Sequence, residues 1–89
     1  MKLLYGKQFG KDLDNIRHDV KTKKRISELI RNMKNADSPA DLKNVRKIEG
    51  YSDYYRIRIG DYRLGFKITG NQVELIRFLH RKDIYRMFP

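Results

Sequence analysis

Arg56, Arg58 and Arg63 stand in the string Tyr54–Lys67, YYRIRIGDYRLGFK, where they alternate with Tyr55, Ile57, Ile59, Tyr62 and Leu64. A β-strand sends successive side chains to opposite faces. The pattern therefore predicts a hairpin with an apolar core face and a row of guanidinium groups on the other. Lys67 has the parity of Arg63 and extends the row. Like charges directly opposite across two strands repel by tenths of a kcal/mol to about one. A bound phosphate converts that repulsion into charge-assisted, often bidentate hydrogen bonds. The chemistry open to such a row is anion binding and stabilisation of charge building on a phosphate. For any one arginine a solvated strand face is the plain alternative; three on one hairpin favour an anionic ligand, nucleic acid first.

Further along, HRKDIY places His80, Arg81 and Tyr85 at and just beyond the end of an apolar run. Arg81 sits where that run ends and could converge on the arginine face. Histidine is the side-chain type suited to proton transfer at neutral pH, and His80 is the best side-chain candidate for a general base, although a lone histidine is more often structural. Tyr85 either packs a C-terminal turn or stacks on a base. Lys21, Lys23, Lys24 and Arg25 form a basic run opening a predicted helix, where the dipole prefers acidic groups. The run reads as a solvated turn, with a non-specific grip on an RNA backbone as its functional alternative. Other chemistries lack residues. His18 and His80 are the only histidines, there is no cysteine, and no HExxH pair, GxxxxGK[ST] loop, GxGxxG or nucleophile elbow occurs. Catalysis is expected to run on Arg, Lys, His and Tyr, with no metal and no cofactor.

Composition bounds the partners. Eighty-nine residues allow one domain, 1–89, with one modest core. A net charge of +10 is a strong field for so small a body and favours polyanions. It is shared evenly, +5 over residues 1–53 and +5 over residues 54–89, so it belongs to the folded body and not to a tail. No apolar run approaches the roughly 18 residues of a spanning helix, and MKLLYGKQFG lacks the apolar stretch of a signal peptide. Absence of cysteine fits a reducing compartment. A cytoplasmic protein that avoids membranes is expected.

The positioning elements follow from periodicity. Lys2–Tyr5 reads as a short strand ending at Gly6. Phe9, Leu13, Ile16 and Val20 are spaced as one stripe of a helix running from Lys7 to about Asp19, and Ile26, Leu29, Ile30 and Met33 as the stripe of a second, about Thr22 to Asn35. The short link between them predicts an antiparallel pair. Asp41–Tyr51 fits either a helical turn or an irregular packed segment. Strands are predicted at Tyr54–Ile59 and Tyr62–Ile68 around Gly60-Asp61, and at Gln72–Leu79 after Gly70-Asn71. The apolar content of the last predicts cover on both sides. Asp83–Phe88 could add a helical turn. The expected fold is α+β: an N-terminal strand and a helix pair packed on a mainly antiparallel sheet of about four strands.

The order helix–helix–meander, the string YYRIRIGDYRL and the closing HRKDIYR together resemble the RelE/ParE superfamily of bacterial and archaeal toxins, over nearly the whole chain. RelE-branch members cut messenger RNA in the ribosomal A site; ParE-branch members poison DNA gyrase. The resemblance to RelE implies a metal-independent endoribonuclease that uses the RNA's own 2′-hydroxyl as nucleophile. It implies an antitoxin protein as partner, in a hetero-oligomer, besides the ribosome and its message. It places Arg63, Arg81 and Tyr85 as catalytic residues and Arg56 and Arg58 as RNA-binding ones. Where RelE has lysines on that strand, this chain has arginines, which are poor bases. A gyrase inhibitor of the ParE kind and a non-catalytic RNA-binding module stay open as alternatives.

Overall fold

The computed structural model describes residues 1–89. The chain runs β1 (Lys2–Tyr5), α1 (Lys7–Asn15), α2 (Val20–Asn35), a 3-10 turn (Pro39–Asp41), β2 (Val45–Lys47), β3 (Tyr54–Ile59), β4 (Tyr62–Thr69), β5 (Gln72–His80) and α3 (Arg81–Met87). The strands form a single sheet in the order β1-β5-β4-β3-β2. β1 joins β5 in parallel and every other pairing is antiparallel. Both hairpins turn on a glycine at positive φ, Gly60 at 59° and Gly70 at 59°, a backbone that L side chains resist.

One face of the sheet meets α1 and α2. Phe9, Ile26 and Met33 from the helices close on Ile57, Leu64, Phe66, Val73, Leu75 and Phe78 from the strands. Fully burying each such side chain contributes about 1.5–3 kcal/mol, and this face is where the alternation at Ile57, Ile59 and Leu64 points. β5 lies inside the sheet, with α1 against one side and α3 against the other, as its apolar run requires. A register shift at Gly65/Phe66 absorbs one residue of β5, so that Phe66 faces Leu75 while Leu64 faces Phe78.

Four details differ from the sequence reading. The sheet has five strands, because Val45–Lys47, within the segment left as a helical turn or irregular packing, pairs with β3. Val20 is 77% exposed. α1 stops at Asn15, and Asp19 starts a new helix by accepting from the Thr22 N–H at 3.0 Å, so Val20 takes its orientation from α2. α3 begins two residues early, at Arg81. No helix is long and apolar enough to cross a membrane.

One buried ion pair seals the edge of β5 beyond the end of β1. Asp12, 4% exposed, accepts from Arg77 Nε at 2.8 Å and Nη2 at 3.1 Å, and from the Phe78 backbone N–H at 2.9 Å. The carboxylate holds the Arg77 pKa above its ordinary value. It also does for β5 what a longer β1 would have done, satisfying a strand N–H.

Candidate nucleic-acid interface

The face away from α1 and α2 collects the arginines. Arg58 stands directly opposite Arg63 across β3 and β4, and Arg56 opposite Gly65. On the other flank β2 sets Arg46 opposite Arg56. Arg63 folds back over its own turn, donating from Nη1 to the carbonyls of Gly60 at 3.0 Å and Tyr62 at 2.9 Å. Burial, then the positive charges of Arg58, Arg56 and Arg81, lower its pKa; the Tyr85 phenol acts the other way. Arg63 is thus held in a cationic neighbourhood with no carboxylate to relieve it.

α3 closes this face. Its first N–H groups are anchored twice: Arg81 N–H donates to Asp61 O at 2.7 Å and Lys82 N–H to His80 Nδ1 at 3.2 Å. Ile84 and Phe88 are buried beneath it. Phe88 lies on Gly65 so closely that a Cβ there would come within 2.7 Å of the ring, which is why β4 carries a glycine at that position. With the helix so docked, Tyr85 comes over β3, its ring centroid 4.8 Å from the Arg56 guanidinium carbon.

The result is an open cleft of about 660 Å³ lined by Arg25, Arg46, Arg56, Arg58, Arg63 and Tyr85, with Asn44, Val45 and Gly60. Arg56, Arg58, Arg63 and Tyr85 are therefore brought together, and Arg25, expected only as part of a separate basic run on the second helix, joins them. Arg25 reaches the hairpin turn from α2: its Nη1 would lie 2.9 Å from a Cβ on Gly60. Lys23 and Lys24 are exposed elsewhere on α2 and do not line the cleft. Lys67 lies over the Tyr54 ring at 5.6 Å, outside it. Arg81 is exposed at the rim, where its charge acts on Arg63. His80 is not in the cleft. It pairs with Tyr62 on the core-facing side, ring centroids 5.7 Å apart. Its Nδ1 is occupied as a helix cap, so a neutral ring carries its proton on Nε2 and has no free base nitrogen. Arg46 and Asn44 are lining residues that the sequence reading missed. The inward Val45 beside the outward Arg46 was the available signal, but three residues are too few to establish a strand period.

A mixed five-stranded sheet with two helices on one face and an open, arginine-lined cleft on the other defines a small α+β protein with a cationic face. Comparisons with known proteins narrow the class. The family model for the ParE toxin of the type II toxin–antitoxin system parDE matches residues 3–85. Toxin RelE3 of Methanocaldococcus jannaschii is 44% identical over 90 residues, covering 100% of both chains. A chain of the solved RelB–RelE antitoxin–toxin complex from Methanococcus jannaschii superposes with a TM-score of 0.80 at 41% identity, over 97% of this chain and 99% of that one. The YoeB dimer from Staphylococcus aureus shares the fold alone, with a TM-score of 0.71 at 18% identity over 90% of this chain and 95% of that one. The chain belongs to the RelE/ParE superfamily of type II toxin–antitoxin toxins, on its RelE-like side.

Proposed function

We propose that this toxin is a ribosome-dependent messenger-RNA endoribonuclease that works without a metal, acts in the cytoplasm and is held inactive by an antitoxin partner. The observation that carries the reading is the convergence of Arg56, Arg58 and Arg63 on one cleft that Tyr85 overhangs. The partner is inferred from the relative solved as a RelB–RelE complex. The cleft supplies guanidinium groups, a phenol and an amide. Those are the groups needed to orient a strand and stabilise a phosphorane, not to attack it.

In the reaction, the 2′-hydroxyl oxygen forms a bond to the adjacent phosphorus while the bond from phosphorus to the 5′-oxygen breaks. The products are a 2′,3′-cyclic phosphate and a free 5′-hydroxyl. One proton leaves the nucleophile and one joins the leaving oxygen. Arg56 and Arg58 hold the backbone and, by their charge, acidify the 2′-hydroxyl, whose proton passes to water. Arg63 and Arg81 neutralise the phosphorane. Their guanidinium groups donate hydrogen bonds to the departing 5′-oxygen, which takes its proton from water. Tyr85 stacks on the substrate base or orients the hydroxyl.

The test adds purified protein to translating ribosomes and maps message 5′ ends by primer extension. Codon-phased cuts that disappear in Arg63→Ala and Arg81→Ala, both checked for fold, are the expected result. The family model's ParE description supports a second reading, a gyrase poison. Accumulated cleaved DNA–gyrase complexes with intact messages would replace the first reading by the second.

A further inference from the structure

The same sheet face carries a second cluster, which the cleft does not use. Tyr54 precedes Arg56 by two residues on the same face of β3, about 7 Å along the strand. Its ring meets Phe88 at 5.8 Å and Tyr51 edge-on at 6.0 Å. The Lys67 ammonium sits 5.6 Å from the Tyr54 centroid. Glu74 is its cross-strand neighbour, yet the two form no ion pair. The contact of Tyr54 with Phe88 is ordinary packing, since Phe88 is buried. Tyr51 has no such duty: it is 50% exposed.

Nor does Tyr51 sit on a loose loop. Its N–H donates to Ile48 O at 3.4 Å, Ile48 N–H to Tyr54 O at 2.9 Å, and Ile68 N–H to Asp53 O at 2.9 Å. Gly50 and Asp53 hold φ at 81° and 70°, and for Asp53 that left-handed backbone costs energy. The loop spends hydrogen bonds and strain on holding a large aromatic ring at the surface. The Tyr54 ring that Tyr51 meets also contacts the Lys67 ammonium, which is in no ion pair, and further along the same strand lies the arginine cleft.

We infer that Tyr51, Tyr54 and Lys67 form a second subsite, which receives one unpaired base of single-stranded RNA next to the nucleotide in the cleft. Tyr51 stacks on the base and Lys67 meets the neighbouring phosphate. The combination of exposed aromatic ring and cation in line with a basic groove is what a single strand needs, and it tolerates any base. The subsite therefore sets the strand's direction and register across the cleft without reading a codon. It rests on the nucleic-acid reading of the cleft.

Pentaribonucleotides with 2′-fluoro sugars, which cannot cleave themselves, provide the test, each with one abasic nucleotide at a successive position. Affinities are read by fluorescence anisotropy. In the wild type, two adjacent positions are expected to be sensitive, each abasic substitution weakening binding about tenfold. Tyr51→Ala should bind the intact oligomer about tenfold more weakly and lose sensitivity at one of the two positions, while Tyr51→Phe keeps both. A Tyr51→Ala protein with the wild-type sensitivity profile overturns the subsite and leaves the cleft standing. Failure of every oligomer to bind the wild type overturns the nucleic-acid reading of the cleft together with the subsite.

Discussion

The Arg56 guanidinium lies 4.8 Å from the centre of the Tyr85 ring, and this contact joins the third strand to the C-terminal helix across the cleft. Two residues 29 positions apart thus define one wall and the roof of the same site. Tyr85→Ala should remove about 0.5–1 kcal/mol of cation–π interaction and leave Arg56 free to wander. Tyr85→Phe keeps the interaction and removes only the hydroxyl. Single-turnover cleavage on ribosomes separates the two: a slow Tyr85→Phe protein assigns work to the hydroxyl, an active one assigns it to the ring.

Gly65 governs where α3 sits, through Phe88. A methyl group at residue 65 would meet the Phe88 ring at 2.7 Å, and a ring cannot yield as a flexible chain can. Gly65→Ala should destabilise the protein by about 1–3 kcal/mol and displace Tyr85, lowering cleavage although no cleft residue has changed. Adding Phe88→Leu should recover part of the stability in urea titrations. A Gly65→Ala protein with wild-type stability and activity would mean that α3 docks independently of this contact.

Arg58 faces Arg63 directly, and no carboxylate relieves the pair. Arg58→Gln should raise thermal stability, by tenths of a kcal/mol up to about one, while weakening RNA binding. The slope of log affinity against log salt should shrink by about 1 if Arg58 meets a phosphate. Opposite signs for stability and binding are the signature of a charge kept for a ligand.

Asp12 should behave in the reverse way. Asp12→Ala leaves the Arg77 guanidinium without its partner and the Phe78 N–H without an acceptor. A loss of about 3–5 kcal/mol is expected, as for other buried pairs broken on one side. Denaturant unfolding measures it. Retention of full stability would show that water enters the β5 edge and takes over both bonds.

The pH dependence of stability should carry a contribution from Asp19. Hydrogen bonds from the Thr22 backbone N–H, then from the Thr22 hydroxyl, hold its pKa below the usual 3.8. A carboxyl whose pKa is lower in the folded state stabilises fully above the unfolded value, and loses that contribution as pH falls through the folded one. Melting temperature should therefore drop below pH 3.8 more steeply in the wild type than in Asp19→Asn, which caps without titrating. Parallel profiles for the two proteins would show that α2 does not depend on the charged cap.

The sequence by itself determined which side of the hairpin is core and which is cationic. Side-chain alternation at Ile57, Arg58 and Ile59 is a consequence of strand geometry within a few residues. Helical spacing in Ile26, Leu29, Ile30 and Met33 is equally local, and so is the glycine at each hairpin turn. Likeness to a toxin superfamily supplied the link from Arg63 to Arg81 and Tyr85, which no periodicity contains. Tertiary structure alone decided what meets across long separations. Docking of Phe88 on Gly65 brought Tyr85 to Arg56. The register shift at Gly65/Phe66 rephased β5 and sent His80 to the opposite face, beside Tyr62. A three-residue edge strand, fixed by its pairing with β3, delivered Arg46 to the cleft. Local backbone geometry dictates where a side chain points, but its neighbours are set by packing and register between distant segments.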